Sequence, residues 1–154
     1  MAVTDELAER LRSIVAREEP RLRAIPPDAA RQAPKPGKWC PAEVIGHLID
    51  SASNNHQRFV RTQLQDDFVS PGYAQDAWVS VQGYADEPWS DLIEMWTGVN
   101  RHLAHVIERI PAPALGRTCT VVSTDGKKNP PMSLEALVAD YLRHVEHHIA
   151  QIKD

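Results

Sequence analysis

The 154-residue chain contains only two cysteines, Cys40 and Cys119, far apart and in no close pair. That excludes a disulfide-stapled scaffold and a cysteine-built zinc site, and leaves two free thiols as the expectation. No apolar run approaches the ~18 residues needed to span a bilayer. The stretch from Met1 to Arg12 is charged throughout, unlike a secretory signal. Charge of one sign is also missing in bulk. Seventeen Lys and Arg stand against 21 Asp and Glu, a formal net charge of -4 with no long run of either sign, so no basic surface suited to nucleic acid is expected. Together these absences predict a soluble, cytoplasmic protein with neither a membrane nor a nucleic-acid partner. There is no Ser-His-Asp arrangement, phosphate-cradling glycine loop or HExxH motif, and no internal repeat or low-complexity tract.

What the chain does have is helical periodicity. Its length suits one domain, residues 1–154, with a proper core. A first helix is expected from Thr4, as cap, with Leu7, Leu11, Ile14 and Val15 inward, Pro20 kinking or breaking it, and Leu22 and Ile25 continuing the apolar contact before Pro26-Pro27 stop it. Asp28 to Lys38, with Pro34, Pro36 and Gly37, reads as a connecting loop. A second helix begins at Cys40-Pro41-Ala42-Glu43 and runs to about Gln65. Ile45, Leu48, Ile49, Ala52, Phe59 and Val60 form its core face, and His47, Asp50, Asn54, Arg58 and Arg61 a polar stripe that periodicity alone reads as solvated surface.

Asp66 to Glu87 is long for a connection and is expected to carry a turn at Pro71-Gly72 and a short helix presenting Trp78, Val81 and Tyr84. A third helix from about Pro88 to Ile110 keeps Trp89, Leu92, Ile93, Trp96, Val99, Leu103, Val106 and Ile107 on one face. Asn100 interrupts that face, as a satisfied core amide or a pocket residue. Thr118 to Val122 is β-like, with a hairpin partner expected near Asn129, and Ser133 caps a fourth helix. The fold class is therefore all-α, a four-helix bundle with long connections after helices two and three.

The fourth helix carries the chemistry. Leu134, Leu137, Val138, Tyr141, Leu142, Val145, Ile149 and Ile152 make one stripe, and His144 and His148, four residues apart, share an edge of it. Two readings stand for that pair: histidines satisfied by neighbours, or a two-ligand metal platform that needs a third ligand from elsewhere in the chain. Asp140 and Gln151 are placed to orient the rings from the outside, with Asp50 as a similar candidate beside His47. His147, His102 and His105 point away.

The runs Gly37-Lys38-Trp39-Cys40-Pro41-Ala42-Glu43-Val44-Ile45-Gly46-His47-Leu48, Arg58-Phe59, and Tyr141 through Ile152 with its His144, His147 and His148 are similar to the DinB superfamily over essentially the whole chain. That resemblance implies a four-helix bundle, often a homodimer, with a three-histidine metal site whose ligands carry over to His47, His144 and His148. The metal would then sit at the mouth of the bundle or in a polar cleft. Cys40 stands where the family commonly has Ser or Thr, which touches the helix cap and not the ligands.

Three imidazoles suit one divalent ion, Zn, Ni, Fe or Mn, with a position left open for water or a thiol. Asn54, Arg58 and Asn100 are the expected lining for a cofactor or small-molecule substrate. The resemblance implies a metal-dependent transferase acting with a low-molecular-weight thiol such as bacillithiol or mycothiol. The alternatives are a metal-dependent hydrolase using a metal-bound water, or a non-catalytic, stress-associated metal-binding protein.

Overall fold

The computed structural model describes residues 1–153. Four long helices make the bundle: α1 (Val3–Arg23), α3 (Pro41–Leu64), α5 (Trp89–Glu108) and α6 (Leu134–Ile149). Between them lie the short helices α2 (Pro27–Ala30) and α4 (Gln75–Gln82), and the strands β1 (Phe68–Pro71), β2 (Thr118–Val122) and β3 (Met132–Ser133). α5 is the shared wall, packing on both α1 and α3, while α3 also meets α6. The core between them is aliphatic and aromatic, with Leu11, Ile14, Ile45, Leu48, Phe59, Leu92, Ile93, Trp96, Leu103, Ile107 and Leu142 buried.

The helix starts follow local chemistry. Ser133 caps α6 as expected, its Oγ accepting from the Ala136 N–H at 3.1 Å. At α3 the Cys40 N–H donates to the Glu43 carboxylate at 3.1 Å, and the sulfur takes the place of a capping hydroxyl over the Glu43 N–H. α1 departs from expectation at its start and at Pro20. Its cap lies two residues earlier than expected, at Ala2 with Val3 as the first helical residue, so Thr4 lies inside the first turn and caps nothing. Pro20 does not break it. The missing proline N–H removes one hydrogen bond near the end, while Leu22 is fully buried and its carbonyl accepts the Trp89 indole N–H at 3.0 Å, holding the last turn in register. The Asp28 to Lys38 connection is likewise not all loop, because Pro27 starts the single turn of α2.

The two long connections meet in a small sheet of order β1-β2-β3, in which β1 pairs parallel with β2 from Phe68↔Cys119 onward and β2 pairs antiparallel with β3. A parallel pair needs a long crossover, supplied here by α4 and α5. The expected turn after Val122 exists, with a bridge from Val122 to Lys128 and the Asn129 N–H donating to the Val121 carbonyl at 3.0 Å.

Two corrections concern α3 and its cover. In α4 the inward residue is Val79, whereas Val81 is exposed and Trp78 sits at the surface against Tyr73. The polar stripe of α3 is not solvated: His47, Asp50 and Arg58 are all buried, and only Arg61 of the five is exposed. α4 and the turn at Tyr84–Asp86 lie over this side, with the Tyr84 hydroxyl donating to Asp50 at 2.7 Å and the Gln82 amide at 2.9 Å. Gly46 makes that approach possible, since the Tyr84 ring occupies the space a Cβ there would fill.

Candidate metal centre

His47 comes from the second turn of α3, His144 and His148 from successive turns of α6. The α3–α6 packing brings them together, and one ligand nitrogen from each lies within 4.8 Å of the others. Nε2 of His47 is 3.1 Å from Nε2 of His144. Two ligands on a tetrahedral ion at bond lengths of ~2.0–2.1 Å would be separated by about 3.3 Å, so this pair already has the required spacing. The ring centroids of His47 and His148 are 4.6 Å apart, and those of His144 and His148 4.5 Å. His47 is fully buried, whereas His144 and His148 are half-buried.

The outward nitrogens support inward-facing Nε2 atoms. His148 Nδ1 contacts the Gln151 side-chain oxygen at 3.1 Å, an N–H donor to an amide acceptor, and His144 Nδ1 is 3.4 Å from the Ser51 hydroxyl. With Nδ1 protonated, each ring offers its Nε2 lone pair to the cluster. His47 Nδ1 is buried with no partner among the described residues, and its ring is held by Trp39, 4.9 Å away.

Burial, aided by the two neighbouring histidines, lowers the His47 pKa to about 4. Burial with the charge of His148 lowers His144 to about 4 as well. His148 is lowered too, chiefly by burial, with the Gln151 bond opposing. Neutral imidazoles are the ligating form, so the donor set fits a divalent ion at neutral pH.

Two cavities adjoin the cluster. One, of about 470 Å³, has His144 in its wall together with Ser51, Asn55, Arg58, Tyr73, Cys119, Met132 and Tyr141. The other, of about 740 Å³, has His148, Gln151 and Trp39 in its wall and Lys35, Lys38 and Lys153 around it.

Of the expected lining residues, only Arg58 reaches the first cavity. Asn54 is half-buried and turns its amide to the Asp50 carbonyl at 2.8 Å. Asn100 lies in the core, accepting from the Tyr141 hydroxyl at 2.6 Å and donating to the Trp96 carbonyl at 2.9 Å. Trp78 is in neither wall. Gln151 orients His148, but Asp140 pairs with Arg143 at 3.1 Å rather than with an imidazole, and Asp50 serves Tyr84. Ser51 and Asn55 also line the first cavity, and they lie one position round α3 from the polar stripe that periodicity picks out. Steps of four, four and three from His47 through Ser51 and Asn55 to Arg58 mark the face that meets the cavity.

The match to known proteins agrees with this architecture. Residues 6–152 fit the family model described as the DinB superfamily. The chain belongs to the DinB superfamily. A 117-residue stretch, 76% of this chain, is 26% identical to the "Putative metal-dependent hydrolase OB0413" of Oceanobacillus iheyensis and covers 64% of that relative's length, just under two thirds. Among solved structures, YfiT from Bacillus subtilis, described as a probable metal-dependent hydrolase with an unusual four-helix bundle topology, superposes with a TM-score of 0.83. It shares 19% identity, with 97% of this chain and 83% of YfiT covered. A mycothiol-dependent maleylpyruvate isomerase superposes with a TM-score of 0.72 at 12% identity, over 97% of this chain and 60% of the isomerase. At these identities the structural likeness establishes the DinB bundle and not a shared activity.

Proposed function

We propose that this DinB-superfamily protein is a metal-dependent transferase that activates a low-molecular-weight thiol at one divalent ion held by His47, His144 and His148. The observation that carries this reading is that the three-histidine cluster borders two cavities, with His144 in the wall of one and His148 in the wall of the other. Water needs no pocket of its own, so hydrolysis requires room for one organic molecule. Transfer between two organic molecules requires two rooms that meet at the reacting centre.

A bound ion supplies an open coordination position and lowers the pKa of a thiol or water placed there. The chain's own residues do the rest. Gln151 and Ser51 hold two rings in the tautomer that presents Nε2, and Trp39 fixes the third. The first cavity, walled partly by Val121, Met132 and Leu137, holds the acceptor against apolar surface and limits water. No protein nucleophile is required: Cys40 and Cys119 are buried, and burial raises both thiol pKa values.

The test begins with elemental analysis of protein purified without a nickel column. A screen then follows thiol consumption with bacillithiol, mycothiol and simpler thiols against electrophilic acceptors. The expected result is one divalent ion per chain and thiol transfer that a chelator abolishes. Metal-dependent ester or amide hydrolysis without thiol use would instead favour the hydrolase reading, which the names of the Oceanobacillus relative and YfiT support. Folded protein that takes up no divalent ion would remove both.

A further inference from the structure

Arg58 is the buried cation of the first cavity, at 8% exposure. Its Nε donates to the Ser70 hydroxyl at 3.0 Å and its Nη2 to the Pro71 carbonyl at 3.3 Å, both neutral acceptors. Among the described residues it forms no ion pair with a carboxylate. The acidic groups whose charge would act on it are the Cys119 thiol and the Tyr73 phenol, and burial raises the pKa of both, so neither supplies a counter-charge at neutral pH. Asp50 is engaged by Tyr84 and Gln82, and Asp140, at the cavity wall, is exposed and paired with Arg143. A guanidinium stays charged at any working pH, and a buried charge without an opposite one is unfavourable. Part of its five-donor fork remains free in a cavity with room for a small molecule.

We propose that Arg58 receives the carboxylate of an organic acid whose reactive end lies beside His144. The chemistry of the wall selects this class. A single planar fork matches one carboxylate with two parallel hydrogen bonds. A phosphate dianion would need a second cation, whereas the cavity offers a carboxylate, Asp140, instead. Val121, Met132 and Leu137 favour a hydrocarbon or aryl body between the two ends. Arg58 lies seven residues beyond Ser51, whose hydroxyl contacts His144, and seven residues of helix span about 10 Å. That length suits a medium-chain acid rather than acetate. The assignment rests on the proposed function only for what happens at the histidine end.

The probe is hexanoate against its uncharged isostere hexanamide, titrated into the metal-free protein. Calorimetry gives the affinities, and the Nε–H resonance of Arg58 reports the site. Hexanoate is expected to bind at least about ten-fold more tightly, or ~1.4 kcal/mol, and to shift that resonance, whereas hexanamide leaves it in place. Arg58→Met should bring the acid-to-amide ratio to about one, and Arg58→Lys should keep part of it. Equal affinities, or an acid preference that survives in Arg58→Met, would overturn the assignment. If Arg58→Met does not fold, the wild-type ratio and resonance decide. Because no metal is present, failure here leaves the ion-binding result unchanged, and failure of ion binding leaves this titration readable.

Discussion

Two buried polar groups of the bundle behave in opposite ways. Asn100, on α5, sits in the middle of an apolar face with its amide closed at both ends, by the Tyr141 hydroxyl and the Trp96 carbonyl. The histidines between α3 and α6 are also buried or half-buried, yet their Nε2 atoms face one another and the partner of His47 Nδ1 is missing among the described residues. Both depart from the rule that interiors are apolar. A buried polar group whose hydrogen-bonding capacity is filled by the protein serves the architecture, and one with capacity turned toward a cavity is available to a ligand.

The largest expected effect breaks the open cluster. His144→Ala removes one of three ligands and should reduce ion content from about one per chain to near zero, as measured by elemental analysis after dialysis. His102→Ala and His147→Ala, both on exposed positions, should leave it unchanged. Full occupancy in His144→Ala would dissolve the distinction between the two regions.

The closed group should respond in stability instead. Asn100→Leu keeps the volume roughly constant but leaves the buried Tyr141 hydroxyl without its acceptor, which should destabilise the protein by about 1–3 kcal/mol in denaturant unfolding. Its ion content should match the wild type. A loss of ion with stability preserved would place Asn100 in the site after all.

Between these extremes lies Gln151, which touches the cluster only through His148 Nδ1 at 3.1 Å. Gln151→Ala should weaken ion affinity by about ten-fold, the lower end of what outer-shell partners contribute, because the residue is exposed and water can replace it. Competition with a chromophoric chelator reads this directly. An unchanged affinity would reduce Gln151 to a surface contact.

The contrast also explains what was legible in the sequence. Local periodicity revealed the four long helices, the Ser133 cap and the His144–His148 edge, because each depends on residues within a turn or two of one another. Periodicity alone did not give His47 its role. It stands among polar residues that look solvated until α4 and Tyr84 are laid over them, and the covering elements come from about 30 residues later in the chain; only the resemblance to the DinB motif singled it out. The parallel pairing of β1 with β2 is non-local for the same reason, with α4 and α5 between the strands. Pro20 misled because tertiary contacts at Leu22 outweighed one lost hydrogen bond. Asn100 left two readings open, and only the position of Tyr141 decided between them.

The smallest expected effect concerns Cys40, the rival nucleophile. A thiol at the start of a long helix would ordinarily be made more acidic by the helix N-terminus. Here burial dominates and raises its pKa, the residue is 2% exposed, and its sulfur occupies the capping position over Glu43. Cys40→Ser puts a better acceptor at that position and removes some apolar volume, two opposed changes, so stability should move by less than about 1 kcal/mol. Turnover of the substrate found in the thiol screen should persist in Cys40→Ser, vanish in chelated wild type and return when metal is restored. The reverse pattern, activity lost in Cys40→Ser and kept under chelation, would make this a cysteine enzyme on a helical bundle and turn the histidine cluster into another closed polar group like Asn100.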